Sequence, residues 1–246
     1  RCSVLCKGRY IGTVNISETN KEELSRMMVG RDVQFNVDKA DAKPGEVVLD
    51  VQHLSVESRI HKMLAVNDVS LQVRAGEIVS IAGIDGNGQS EFIQALTGLE
   101  KHVNNPDTKI LLGGEDITRK SIREKSIAGM SHVPEDRHKH GLVLDYTLEA
   151  NMVLQRYWEG AFEHFSFIKN KEVSAYSQEL IDAFDVRSGQ GNKTIARAMS
   201  GGNQQKAIVA RELSKKHKLL IAVQPTRGLD VGAIEYLHKA IIRDRD

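Results

Sequence analysis

The sequence predicts an α/β protein: a mixed core sheet with an antiparallel N-terminal β-subdomain and a helical insertion. Three observations carry this expectation. Apolar residues alternate at Val47, Leu49 and Val51, and again at Val69, Leu71 and Val73, where Asp68, Ser70 and Gln72 lie between. Period two with polar partners predicts half-buried antiparallel strands. Residues 77–83 are almost continuously apolar, the pattern of a strand buried on both faces, and lead through a Gly-rich turn into a helix. From about Asp136 to Arg197 the helical period takes over, with Val173, Tyr176, Leu180 and Phe184 on one face.

Taken in order, residues 3–5 and 10–14 predict two short strands around a turn at Lys7-Gly8. Residues 22–28 predict a helix with Leu24, Met27 and Met28 at i, i+3 and i+4. The polar stretch 36–45 ends Lys43-Pro44-Gly45 and has the composition of a linker. Residues 1–35 are therefore expected to be the tail of a preceding domain, with the main domain over 46–246. In that domain a helix over 90–96 carries Phe92, Ile93 and Leu96 on one stripe and stops at Gly98. Residues 219–223 predict a second buried strand, and 234–242 a closing helix.

Charge and composition exclude several classes. Lys and Arg total 34 against 33 Asp and Glu, so the chain lacks the basic excess of a nucleic-acid binder. Its longest apolar runs, 78–84 and 219–223, are far too short to span a bilayer, so a membrane role requires a partner. Cys2 and Cys6 are the only cysteines, four apart on one predicted strand. With no other cysteine to complete a site, they read as reduced, packed thiols.

Gly83-Ile84-Asp85-Gly86-Asn87-Gly88-Gln89-Ser90 satisfies the phosphate-loop spacing in every respect but one: Gln89 stands where lysine is required. Glycines there let backbone N–H groups converge on a phosphate, and the following helix N-terminus adds partial positive charge. Losing the lysine's charge-assisted bond costs about 1.5–3 kcal/mol, or about 10- to 100-fold in affinity.

Ser200-Gly201-Gly202-Asn203-Gln204-Gln205-Lys206, about 110 residues beyond the phosphate loop, is the most specific segment. Ser200 suits a helix cap, and the two glycines permit close approach of a phosphate. The segment resembles the signature of ATP-binding-cassette (ABC) ATPases, in the form found in bacterial simple-sugar and nucleoside importers of the two-cassette type. Residues 224–233, Gln-Pro-Thr-Arg-Gly-Leu-Asp-Val-Gly-Ala, resemble the end of that family's Walker B strand and its D-loop, with Asp230 as the D-loop aspartate. The family has Asp-Glu before this Pro-Thr; here the residues are Val223 and Gln224. In Val133-Pro134-Glu135-Asp136-Arg137, Glu135 falls at the Q-loop position, where glutamine is usual. His61 reads as a surface histidine rather than as an adenine-stacking residue.

The resemblance implies a second, C-terminal cassette preceded by the tail of the first and shortened at its C-terminal end, with a helical subdomain over about 136–197. It implies ATP contacts from Gly83, Asp85, Gly86, Asn87, Gly88, Gln89, Ser90 and Glu91, with the Ser90 hydroxyl a weak ligand for Mg²⁺. Ser200, Gly201, Gly202, Asn203 and Gln204 would act across an interface on the first cassette's nucleotide. Gln224 would replace the catalytic glutamate, so hydrolysis at this half's own site is expected to be weak or absent. The implied partners are the first cassette of the same polypeptide, transmembrane permease subunits and, indirectly, an extracellular solute-binding protein, with no nucleic acid. The implied place is the cytoplasmic face of the cell membrane. Degenerate Gln89, Val223 and Gln224 point to the nucleoside branch. Two other readings are a non-hydrolysing regulatory module and a soluble ABC protein of another role; the latter predicts basic arms or a long inserted coiled coil, which the sequence lacks.

Overall fold

The computed structural model describes residues 1–6, 8–30, 39–59 and 63–246. His61 and Lys7 thus lie outside the described residues, as does part of the expected linker. The chain divides into two compact units. One comprises residues 1–41 with 226–244 and 246; the other comprises 42–225 and 245.

In the smaller unit, β1 (Cys2–Cys6) and β2 (Arg9–Val14) form an antiparallel hairpin with an irregularity between Val4 and Leu5. Both cysteines are free and partly buried. Helix α1 (Lys21–Val29) begins where the Asn20 side chain accepts from the Glu23 amide at 2.8 Å, and ends at Gly30 with φ +83°. Leu24 and Met27 are half-buried as expected, but Met28 is 53% exposed and Ser25 takes the buried position. Nine residues at 100° per step make Ser25 the neighbour of Met28 and Val29 on the helix surface, so a small turn in azimuth exchanges them.

The larger unit opens with β3 (Val47–Glu57) and β4 (Leu64–Arg74), paired antiparallel in the alternation the sequence predicts. Helix α2 (Gln89–Thr97) follows the Gly-rich turn and stops at Gly98, φ +87°. Strands β5 (Lys109–Leu112) and β6 (Glu115–Asp116) complete a sheet in the order β4-β3-β5-β6. Helix α3 (Ile122–Ile127), closed by a Ser121–Glu124 capping box, leads to β7 (Met130–Val133). Strand β7 pairs in parallel with the much later β10 (Leu219–Ala222), Ala222 opposite Val133. Leu49, Val51, Leu54, Ile110 and Leu112 of the antiparallel sheet share one core with Phe92 and Leu96 of α2 and with Met130, Leu219 and Ile221 of the parallel pair.

Among the described residues the antiparallel strands and the parallel pair hydrogen-bond as separate sheets around a common core. One expectation needs correction. Residues 77–83 do not form a strand, and Ile78, Val79, Ile81 and Ile84 are 44–75% exposed. A strand buried on both faces needs partners on its edges, and among the described residues the parallel sheet consists of β7 and β10 alone. Unpaired backbone N–H and C=O groups must then stay hydrated, which outweighs burying the four apolar side chains.

The helical stretch contains a wide helical turn (Arg137–Gly141), α4 (Leu148–Val153) and α5 (Asn170–Ala183), and α6 (Gly201–Ser214) follows it. Between α4 and α5 it carries a two-stranded hairpin, β8 (Glu163–His164) and β9 (Phe167–Ile168), which helical periodicity did not predict. Val173 and Leu180 are buried, with Tyr176 and Phe184 packed partly against the same cores. Helix α7 (Val231–Arg245), in the smaller unit, covers the predicted closing helix. Among the described residues no helix is long and apolar enough to cross a membrane.

Candidate nucleotide site

Strand β4 fixes the phosphate-loop end of the larger unit through glycine. A Cβ on Gly88 would stand 2.2 Å from the Ala65 carbonyl oxygen, so backbone blocks every other residue there. Gly86 and Gly88 both take φ +89°, the left-handed region that favours glycine. The Asn87 amide closes the turn on the Ile84 carbonyl at 3.4 Å, and Gly88 caps α2. Asp85, Gly86 and Asn87 are exposed, while Gln89, Ser90 and Glu91 are half-buried on the first turn.

Two side-chain contacts define the loop. The Gln89 amide folds back over Gly83, its nitrogen 1.9 Å from where a Gly83 Cβ would stand. The Ser90 hydroxyl donates to Glu135 Oε2 at 3.0 Å, joining the first turn of α2 to the segment that follows β7. Sequence spacing could not have found this contact, which spans 45 positions. Val223 continues the parallel ladder past β10, its amide donating to the Val133 carbonyl at 3.0 Å. Val223 is half-buried against the main core, whereas Gln224 is exposed at φ +44°, a left-handed conformation uncommon outside glycine.

The signature segment folds as its residues predict at its start. Ser200 caps α6, its hydroxyl accepting from the Asn203 amide at 3.4 Å and from Asn203 Nδ2 at 3.0 Å. Asn203 in turn accepts from the Arg187 amide at 2.9 Å. Gln204 turns inward. It is buried, donating from Nε2 to the Ala196 carbonyl and pairing Oε1 with His138 Nε2, each at 2.9 Å. Its amide therefore holds the segment together, and Ser200, Gly201, Gly202 and Asn203 form the accessible end. Gln205 ties the same helix to the Pro225 carbonyl at 3.0 Å.

Arg137 was legible only as part of a motif. Its guanidinium lies over Gly201, 2.6 Å from the place of an added Cβ. Asp136 orders the turn that carries it, accepting from the His138 and Lys139 amides at 2.9 and 3.1 Å. Those Lys139 and His138 amides hold the Asp136 carboxyl below the ordinary carboxylate range. In the smaller unit, Asp230 accepts from the Ala233 amide at 2.9 Å and caps α7.

The family model for the ABC transporter matches residues 66–227. The chain is 47% identical to the nucleoside import ATP-binding protein NupA of Lactococcus lactis, covering all of this chain and 48% of that protein. It is 46% identical to the guanosine import ATP-binding protein NupO of Bacillus subtilis, over all of this chain and 47% of that protein. A glucose import ATP-binding protein of Haloferax volcanii, TsgD13, is 40% identical over all of this chain and 44% of its own length. The chain thus spans about half the length of the curated relatives it matches. Among solved structures, a dimeric ATP-binding cassette in a post-hydrolysis state with ADP and Pi superposes with a TM-score of 0.66. The match covers 80% of this chain and 83% of that one at 19% identity, a likeness of fold. From its phosphate-loop spacing, its signature segment and this two-thirds-length match, the chain belongs to the ABC transporter family and has the fold of an ATP-binding cassette.

Proposed function

We propose that this chain is the second nucleotide-binding half of an ATPase subunit that powers import of a nucleoside or simple sugar. Import ATP-binding relatives of about twice the matched length support the transport role, and in this reading a first cassette precedes the chain in the same polypeptide. In this reading the larger unit docks on permease subunits at the cytoplasmic face of the membrane, through the Glu135 segment and the helical stretch over about 136–197. An extracellular binding protein delivers the solute. Residues 1–35 belong to the first cassette, and 36–45 link the two.

The carrying observation is an asymmetry. Ser200, Gly201, Gly202 and Asn203 form an ordered, capped helix end suited to a phosphate. The chain's own loop has neutral Gln89 in place of lysine, and β10 runs out into Val223 and Gln224 without a carboxylate. Gly83, Asp85, Gly86, Asn87, Gly88, Gln89, Ser90 and Glu91 therefore hold ATP without hydrolysing it, while the signature completes the first cassette's site. The Ser90 hydroxyl, a hard oxygen donor, fits Mg²⁺, which supplies neutralisation of phosphate charge when bound. With no general base at Gln224, no side chain there polarises an attacking water.

The test is Ser200→Arg in the two-cassette subunit assembled with its permease. Gly201→Asp is a poorer probe, because Arg137 lies where it would neutralise the new carboxylate. A bulky side chain at position 200 blocks closure over the opposite nucleotide, so hydrolysis and uptake should fall by on the order of 100-fold or more. Nucleotide binding at this half's own loop should change by less than about 3-fold, within the scatter of a remote surface substitution. Normal hydrolysis with weakened binding at that loop would place the signature at this half's own site and contradict the proposal.

A further inference from the structure

We propose that Arg137 is a further catalytic residue of the opposite site: its guanidinium, mounted over the start of α6, binds the terminal phosphate of the first cassette's nucleotide beside Ser200, Gly201 and Gly202. The inference rests on the signature reading above and adds to it a charged group from outside that segment. Placement, mounting and charge support it.

Placement follows from Gly201. A Cβ on Gly201 would stand 2.6 Å from one terminal nitrogen of Arg137 and 3.1 Å from its central guanidinium carbon. The Cα–Cβ bonds of a helix tilt toward its N-terminus, so the group over this missing Cβ lies toward the open end of α6. That end, capped by Ser200, is where a phosphate approaches the helix, and Arg137 is half-buried beside it.

The mounting is stiff. Asp136 accepts from the His138 and Lys139 amides, and the Leu142 amide donates to the Arg137 carbonyl at 2.9 Å. His138 bonds Gln204 of α6 at 2.9 Å. Gly141 closes the turn directly on the same helix, where a Cβ would meet Ile208 Cδ1 at 2.5 Å. Arg137 is thus carried on the signature helix, and a donor already in place costs little to align as charge develops.

Charge is the feature that folding alone does not explain. A helix N-terminus carries partial positive charge and disfavours a cation. Helix α6 has no acidic residue in its first turn to offset one. Lys206 and Arg187 pair with Asp185, and Arg197 pairs with Asp145, whereas Arg137 is set over the positive end. An anion at that end reverses the sign of both contributions. A phosphate suits a planar guanidinium, which can donate two parallel bonds to it. In hydrolysis, water attacks the terminal phosphorus, the bond to the bridging oxygen breaks, and ADP and inorganic phosphate leave. Arg137 stays protonated throughout and offsets charge on the phosphoryl oxygens.

The experiment measures ATP hydrolysis by the two-cassette subunit assembled with its permease. Wild type is compared with Arg137→Gln, Arg137→Lys, Arg137→Ala and Ser200→Arg. Arg137→Gln should lower kcat on the order of 100-fold, the scale of one lost donor to developing charge. Arg137→Lys keeps the charge but loses the fork, and should run about 10-fold faster than Arg137→Gln. Millimolar guanidinium should restore part of the Arg137→Ala rate and leave wild type unchanged. A packing role would give a loss that neither lysine nor guanidinium relieves, and that result overturns the inference. Wild-type hydrolysis by Arg137→Gln overturns it too, and in either case the signature reading stands while Ser200→Arg is inactive. Normal hydrolysis by Ser200→Arg overturns the signature reading itself, and this inference with it.

Discussion

Gln89 and His132 show how much rests on single side chains. At position 89 the amide is packed on Gly83, so the loop is built around a neutral, folded-back side chain rather than an extended cation. Its chemistry was legible in the sequence; its conformation was not, because spacing says nothing of which way a side chain turns. His132 is the opposite case, silent in the sequence and informative in the structure. Its Nε2 is enclosed and has no hydrogen-bond partner among the described residues. Burial pushes its pKa down from 6.5 to about 4, against the pull of Glu212. Between those values the unfolded chain binds a proton that the folded chain refuses. The neutral ring's contribution to stability is therefore complete above pH 6.5 and is lost as pH falls toward 4. The loss amounts to about 2–3 kcal/mol by pH 4.5. Urea titrations at pH 7 and pH 4.5 should show a smaller acid loss for His132→Leu than for wild type, and equal losses would remove His132 as the cause.

Helix α6 carries the signature at one end and is anchored by buried charge at the other. Arg211 and Glu212 are 2% and 0% exposed, and Lys215 follows just beyond the helix. Glu212 accepts from Arg211 Nε at 2.9 Å, Gln155 Nε2 at 3.0 Å, Lys215 Nζ at 2.5 Å and the His132 amide at 3.2 Å. Lys215 also donates to Gln155 Oε1 at 2.6 Å. Burial opposes ionisation of Glu212, but Arg211 and Lys215 outweigh it and hold the carboxyl below its ordinary range. One carboxylate thus ties α6 to β7 and to the turn after α4. Glu212→Gln strands two buried cations and should destabilise the fold by about 3–5 kcal/mol. Replacing Arg211, Glu212 and Lys215 together with Met, Leu and Met should recover most of that loss, since no buried charge is then left unpaired. A urea midpoint for Glu212→Gln equal to wild type would mean that the cluster is solvated. The cluster was not legible because charges at i, i+1 and i+4 look like a solvated helix face. The antiparallel β3–β4 pair and the α5 face were legible because their periods report burial directly. Strand β7 was missed because four residues, Met-Ser-His-Val, carry no period of their own.

At the scale of the molecule, sequence pattern located the elements better than their assembly. The apolar run at 77–83 predicted a buried strand, yet burial of a strand is decided by the neighbours that pair with it, and none of the described strands does. The phosphate loop that follows is nonetheless shaped, because its geometry depends on local glycines and on β4 rather than on that pairing. Function divides the same way. The motif residues identified the family, while the joining of Ser90 to Glu135 and the inward turn of Gln204 appeared only in the fold. A cassette that binds nucleotide at this loop, with Gln89, Val223 and Gln224 in place of the Lys, Asp and Glu usual in the family, should not turn it over. Steady-state release of phosphate from ATP by the purified chain in MgCl2 tests this most directly. The expected rate is indistinguishable from buffer alone under conditions where ATP is bound. Turnover near about one per second, within the ordinary enzymatic range, that co-purifies with the chain would contradict it.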